Sequence, residues 1–315
     1  MSTPQPGIFA QGTRTHHHLE FDLRGGVSPT ELSEALAGLR EPSVTAGGVN
    51  IVVGFGPSLW RRLAAACAPA SVPASAPESV PASAPESVPE GLTEFPTIIG
   101  VASTQHDLWV WIHGTGEDVL LDVARAVSAL LAPVADLGAE VAGFVYRDSR
   151  DLTGFIDGTE NPSVEAAFSV ATIAPGGAGA GGSFAITQRW VHDLAAFDAL
   201  SVAEQEGVFG RQKADSVELD DAVKPETAHI ARVVIEEDGE ELELYRRSVP
   251  YGTVAEHGLY FVAFSADPSR FEKMLRRMFG QSGDGLRDRL TEFTRPVTGS
   301  FYFVPSLEAL GDALG

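Results

Sequence analysis

Two spacings of apolar residues take turns along this chain, one of every second residue and one of helical repeat. Leu19-Glu20-Phe21-Asp22-Leu23 alternates strictly and predicts a strand, with His16-His17-His18 leading into it. Val49–Gly54 (VNIVVG) predicts a strand and Pro57–Ala66 a helix. Asp107–His113 (DLWVWIH) predicts a strand, Glu117–Leu131 an amphipathic helix and Glu140–Tyr146 a further strand. In the second half, Ser183–Val191 and Gly258–Ser265 (GLYFVAFS) read as strands. Asp267–Phe279 follows as a helix with Pro268 near its start, where the missing N–H costs nothing. Two segments, VNIVVGFGPSLWRRLAA and GLYFVAFSADPSRFEKMLRR, both run strand, Pro-Ser turn, helix with paired arginines. Their likeness suggests a duplicated α+β module, one copy in each half.

The pattern fails in two places. Residues 71–78 (SVPASAPE) recur identically at 79–86, and Ser87-Val88-Pro89-Glu90 starts a third copy. Proline this dense removes backbone donors and fixes φ, so the stretch 68–90 reads as an extended, solvated insertion. Pro175–Gly182 (PGGAGAGG) reads as a loop.

Composition narrows the classes. A chain of 315 residues with 44% hydrophobic and 21% charged positions is an ordinary globular protein with room for a large buried site. Its charge is not ordinary: 22 basic against 43 acidic residues give a formal −21, which repels phosphate backbones and anionic lipid. Neither nucleic acid nor a membrane surface is an expected partner. Cys67 is the single cysteine, so an intrachain disulfide and a cysteine-rich metal site are excluded. The sequence MSTPQPGIFAQGTRT has neither an apolar signal core nor a twin-arginine pair, and no apolar run nears the roughly 18 residues of a membrane span. A cytoplasmic location is the expectation.

Three stretches carry candidate chemistry. In Leu152–Pro162 (LTGFIDGTENP), Gly154 and Gly158 bracket a short apolar turn bearing Asp157. Apolar surroundings raise a carboxyl pKa and suit it to shuttling protons; the plainer alternative is a solvated Asp-Gly turn. In Glu226–Arg232 (ETAHIAR), His229 sits in a short helical segment and reads either as structural or as a ligand. In Leu244–Gly252 (LYRRSVPYG), Arg246 ends a strand; beside a buried acid, its permanent charge would stabilise negative charge developing on oxygen. His106, His113, His192 and His257 have no companion motif, and the three histidines at 16–18 read as the start of a strand without a metal role.

Together these stretches resemble the dye-decolourising peroxidase family, its bacterial B-type subgroup most closely. The resemblance rests on GFIDGTENP at Gly154–Pro162, the histidine of AHIAR, the run Arg246–Gly252 and FTRPVTG at Phe293–Gly299. PGIF at Pro6–Phe9 and the run Gly210–Lys213 add to it. It spans nearly the whole chain outside the two irregular stretches. The fold it implies is α+β: duplicated ferredoxin-like modules with facing antiparallel sheets, of the dimeric α+β barrel type. The implied division is 1–146 for the first module and 147–315 for the haem-binding one. The implied activity is a haem b peroxidase that reduces hydrogen peroxide through a ferryl intermediate and oxidises dyes, phenolics or similar one-electron donors. His229 would be the axial ligand of the haem iron, its other ring nitrogen held by Glu292, with Asp288 as runner-up. Asp157 and Arg246 would act on peroxide, Arg211 would pair with a haem propionate, and Ser248 would take a distal position often held by asparagine. Glu160 reads as a turn cap, with a Mn²⁺ contact as the alternative.

The same residues also fit a protein that binds or stores haem, or releases its iron, without turning over peroxide. Trp109, Trp111, Trp190, Tyr245 and Tyr251 offer an electron path, but aromatics in strands are more often core and no radical site is assigned. Implied partners are peroxide and a small-molecule or metal-ion reductant, together with copies of this chain in a homo-oligomer. The chain closes on LEALGDALG without an extended tail, so it is not expected to be cargo of an encapsulin shell.

Overall fold

The structure, a computed structural model, describes residues 2–40, 48–67 and 88–314; the Pro-rich repeat predicted as an insertion lies outside them except for its last residues. Strands in chain order are β1 (Thr15–Leu23), β2 (Asn50–Phe55), β3 (Leu108–Gly114), β4 (Ala135–Phe144) and β5 (Ser183–His192). They continue with β6 (Glu236–Glu237), β7 (Glu240–Glu241), β8 (Tyr245–Arg246), β9 (Val249–Gly252), β10 (His257–Ser265), β11 (Thr294–Pro296) and β12 (Ser300–Val304). The helices are α1 (Pro29–Ala37), α2 (Pro57–Cys67), α3 (Glu117–Leu131), α4 (Val164–Ala171) and α5 (Leu194–Asp198). They continue with α6 (Val202–Phe209), α7 (His229–Val233), α8 (Ser269–Met278) and α9 (Leu307–Leu314).

One strand order occurs twice. In the first half β1 pairs with both β3 and β4, and β2 flanks β3, giving β2-β3-β1-β4. In the second half β5 pairs with both β10 and β12, and the broken strand β8/β9 flanks β10. Both are antiparallel ferredoxin-like sheets. They do not merely face one another. Single-residue seams, Phe303 with Phe55 and Gly143 with Tyr251, join them edge to edge. The ring β5-β12-β2-β3-β1-β4-β9-β10 thus returns to β5, and closure removes the open strand edges.

The duplication is therefore real in topology, but the two look-alike segments are not its counterparts. By strand order, β10–α8 corresponds to β3–α3, whereas β2–α2 has its helix between the second and third strands. The strand predicted over Glu140–Tyr146 also starts earlier, at Ala135, because it pairs along all of β1 through a bulge at Glu20/Phe21.

Alternation along each strand sorts residues to the two sides of the ring wall. His16, His18 and Glu20 of β1, Trp109, Trp111 and His113 of β3, Tyr260 and Phe264 of β10 and Tyr302 of β12 are buried within it. Leu19, Phe21, Leu108, Val110, Ile112, Ile186 and Phe303 face outward and form the main apolar cluster under the helices. Glu117–Leu131 buries Leu120, Val123, Ala124, Val127 and Leu131, the stripe that its periodicity predicts. No helix among the described residues is long and apolar enough to cross a membrane.

Candidate active site

The best-defined cavity lies outside the ring. Its walls are the outward face of β5 and β10 (Ile186, Gln188, Trp190, Leu259, Phe261), helices α7 and α8, and the loop at 151–160. Asp157, Arg246, His229 and Arg211 all line it; Ser248 and Glu292 do not.

The Asp157 loop is locked by its own backbone and by one arginine. Gly154 and Gly158 have φ of +90° and +78°, which L side chains rarely adopt, and a Cβ on Gly154 would meet Lys213 Cε at 2.8 Å. Arg150 donates to the carbonyls of Gly154 and Lys213, both at 2.8 Å, and of Ala214 at 3.1 Å. Burial pushes the Asp157 carboxyl above the usual carboxylate range. The Arg246 guanidinium opposes that shift, and the negative charge of Asp151 adds to it.

Arg246 is aimed by strand alternation. It ends β8 and turns outward to the cavity; its neighbour Arg247 turns inward, donating to the carbonyls of Ile8 (2.9 Å) and Ala10 (2.7 Å) and lying 5.3 Å over the Trp111 ring. A residue that sequence reasoning passed over joins this strand to the Asp157 loop. Asn161 donates its amide N–H to the Arg246 carbonyl and accepts from the Arg246 N–H through its side-chain oxygen, both at 2.8 Å. The loop that carries the acid is thus tied to the strand that carries the arginine.

His229 opens α7 with its ring partly exposed to the cavity. Its Nδ1 lies 2.7 Å from Oδ2 of Asp288, a residue with 0% exposure. This corrects the preference for Glu292. Asp288 caps the short turn Arg289–Glu292, accepting from the Leu290 N–H at 2.8 Å with Oδ1, which leaves Oδ2 for the imidazole. Glu292, one turn on, points to solvent. Ser248 is corrected likewise: its hydroxyl donates to the Val262 carbonyl (3.4 Å) and accepts from the Val262 N–H (3.2 Å). Arg211 lines the cavity, but its guanidinium is already shared between Glu160 and the Ser216 carbonyl, the latter at 2.7 Å. Glu160 is therefore this arginine's partner.

Two further lining groups carried no local signal. His192 Nε2 lies 3.0 Å from Asp151 Oδ1, and its Nδ1 lies 2.7 Å from Thr294 Oγ1. Burial pushes the Asp151 carboxyl up, but the His192 charge and hydrogen bonds from His192 and Thr153 hold it below the usual range. These partners are 41 residues apart, so only folding unites them. Gln188 is 0% exposed and neither amide atom has a partner; Arg246 Nε is also unpaired. Buried polar groups are rarely left so, and here they face a largely apolar cavity, which suits a bound group with an apolar body and polar edges.

A histidine braced by a buried carboxylate, in one cavity with a buried acid and an arginine, suits a cofactor-dependent redox enzyme. A family model for the C-terminal part of Dyp-type peroxidases matches residues 148–309. A dye-decolorizing peroxidase of Rhodococcus erythropolis is 38% identical over 277 residues, 85% of this chain and 75% of its own length. Among solved structures, a putative dyp-type peroxidase of Shewanella oneidensis superposes with a TM-score of 0.82 at 32% identity, covering 98% of both chains. A DypB variant of Rhodococcus jostii RHA1, solved in complex with heme, gives 0.85 at 32% identity, again over 98% of both. The chain belongs to the dye-decolourising peroxidase family, and it is a peroxidase.

Proposed function

We propose that this chain binds haem b in the cavity beside β5 and β10, reduces hydrogen peroxide there, and oxidises dyes or phenolics with the equivalents gained. The single observation that carries the cofactor assignment is the His229–Asp288 pair at the cavity wall. A carboxylate on Nδ1 fixes the tautomer that leaves Nε2 free as a ligand and makes the ring more basic. The unpaired Gln188 amide and the apolar lining support a mostly apolar group with polar edges. Haem, when bound, supplies the redox iron at which peroxide is cleaved.

The chain's own residues manage protons and charge. Asp157 takes the proton from one peroxide oxygen and delivers it to the other, which leaves as water. Its raised pKa keeps it able to give the proton back, and acid–base help of this kind is worth about 10²–10⁴ in rate. Arg246, always charged, stabilises the negative charge that builds on oxygen as the bond breaks. Asn161 keeps the two in register. Arg211, at the cavity wall, would pair with a haem carboxylate by exchanging Glu160 for it. The repeated strand order supports a division into modules 1–146 and 147–315.

The test is a spectrum: the haem-loaded protein should change its Soret band within seconds of one equivalent of peroxide, and recover it when a phenolic donor is added. A Soret band indifferent to peroxide overturns the reading.

A further inference from the structure

The ring interior holds chemistry that the peroxide site does not use. Glu20 is buried to 2% exposure, and both of its carboxylate oxygens are engaged by phenols: Tyr260 donates to Oε1 at 2.7 Å and Tyr302 to Oε2 at 2.6 Å. Thr187 Oγ1 lies 3.5 Å from Oε2. Rings continue from this centre. Tyr260 stacks on His18 at 4.1 Å, and Tyr302 on Trp109 at 5.7 Å; His18 and Trp109 are each about 6 Å from Trp111, which stacks on His113 at 3.9 Å. A buried carboxylate is expensive, and apolar side chains of similar volume generally pack a core at least as well, so stability alone does not account for Glu20.

Position supplies the function. Tyr260 alternates on β10 with Leu259 and Phe261, and Thr187 alternates on β5 with Ile186 and Gln188; all four alternates line the peroxidase cavity. The phenol–carboxylate centre is thus one sheet thickness behind the cavity wall and closed to solvent. Burial first, and the neighbouring Glu20 charge second, push both phenols well above their usual pKa, so neither ionises in the resting protein. A phenol that loses an electron becomes a strong acid and must shed its proton at once, and here each phenol already points at a carboxylate oxygen.

We propose that Tyr260 and Tyr302, sharing Glu20 as proton acceptor, form an internal hole-storage site for the oxidising equivalents generated at the cavity. In the step, one phenol gives an electron to the peroxide-oxidised cofactor and its O–H proton to Glu20. A neutral tyrosyl radical and a protonated carboxyl result; an electron from the reducing substrate and the same proton restore the pair. Peroxide is the oxidant and the dye or phenolic donor the reductant. The proposal rests on the peroxidase reading and on cofactor occupancy of the cavity.

The test is freeze-quench electron paramagnetic resonance on the full haem-loaded chain after one equivalent of peroxide, with the Soret band recorded in parallel. Protein made with ring-adjacent deuterated tyrosine should show a narrowed tyrosyl signal. Tyr260→Phe combined with Tyr302→Phe should lose most of that signal, while Tyr146→Phe keeps it. Because the double variant strands a buried carboxylate and endangers folding, Glu20→Gln supplies the second arm. It keeps both phenols but cannot take the proton, and it should lose most of the signal with an unchanged Soret response. A responsive Soret band with no tyrosyl signal, or with a signal undiminished in the double variant and in Glu20→Gln, overturns this inference alone. An unresponsive Soret band overturns the peroxidase reading with it.

Discussion

Strands β5 and β10 have two faces of opposite character. Outward, Gln188 and the neighbouring Arg246, His229 and Asp157 surround a cavity, and several of their polar atoms lack partners. Inward, Glu20, Tyr260 and Tyr302 satisfy one another in a closed interior lined by parallel rings. The outward groups border a cavity that admits a guest, whereas the inward carboxylate and phenols answer one another while ring nitrogens of His18, His113 and Trp109 beside them stay unpartnered. Since the faces differ by one step along the same strands, the period-two alternation alone separates peroxide chemistry from the ring interior.

That contrast can be broken first at His229. His229→Ala should lower haem affinity by more than the roughly 10–100-fold that loss of an outer partner costs, with far-ultraviolet circular dichroism unchanged. Retained haem with an intact Soret band would remove the axial role. Next come Asp157→Ala and Arg246→Ala, each expected to keep haem and slow the peroxide reaction by about 10²–10⁴ in stopped flow. If both variants react at the wild-type rate, the assignment of these groups to peroxide is wrong. Asp288→Asn should then weaken haem binding by roughly 10–100-fold in a haem-transfer assay, whereas Glu292→Gln should leave it unaltered. The reverse outcome would reinstate Glu292.

The inward face predicts a pH dependence of stability. Burial, then Arg247, then His17 lower the pKa of His16 to about 3, and burial, then His16, then Arg247 lower that of His113 to about 2. Both are neutral in the fold, while in the unfolded chain they take up protons below about pH 6.5. Stability is therefore full above that pH and falls as pH drops from about 6.5 toward 3, by up to about 1.4 kcal/mol per pH unit for each histidine. Urea unfolding at pH 7 and pH 5 measures this slope, and His113→Gln should reduce it. The smallest effect belongs to Asp151. Its charge helps to raise the Asp157 pKa, so Asp151→Asn should move the acid limb of the peroxide rate to lower pH. A limb that stays in place or moves upward would show that the Asp151 charge does not raise the Asp157 pKa.

Much of this was legible in sequence because it is local. Glu117–Leu131 is a helix over its predicted span, since its apolar stripe needs no distant partner to be recognised. Strand alternation likewise anticipates that Arg246 and Arg247 point to opposite sides. The duplication was legible only in outline. Two strand–helix segments looked alike because both need a Pro-Ser turn and a basic amphipathic helix, yet strand order makes them non-equivalent.

The sequence by itself determined the alternation, the glycines that a left-handed turn favours, and the motif set that brings Asp157, His229 and Arg246 into one family pattern. Tertiary structure decided which carboxylate braces His229, because Asp288 and Glu292 share one turn and only the packing against α7 selects between them. It also decided that Ser248 spends its hydroxyl on the Val262 backbone, that His192 finds Asp151, and that Glu20 meets two phenols 240 and 282 residues away. Contacts over such separations have no local signature, since they exist only once the ring has closed.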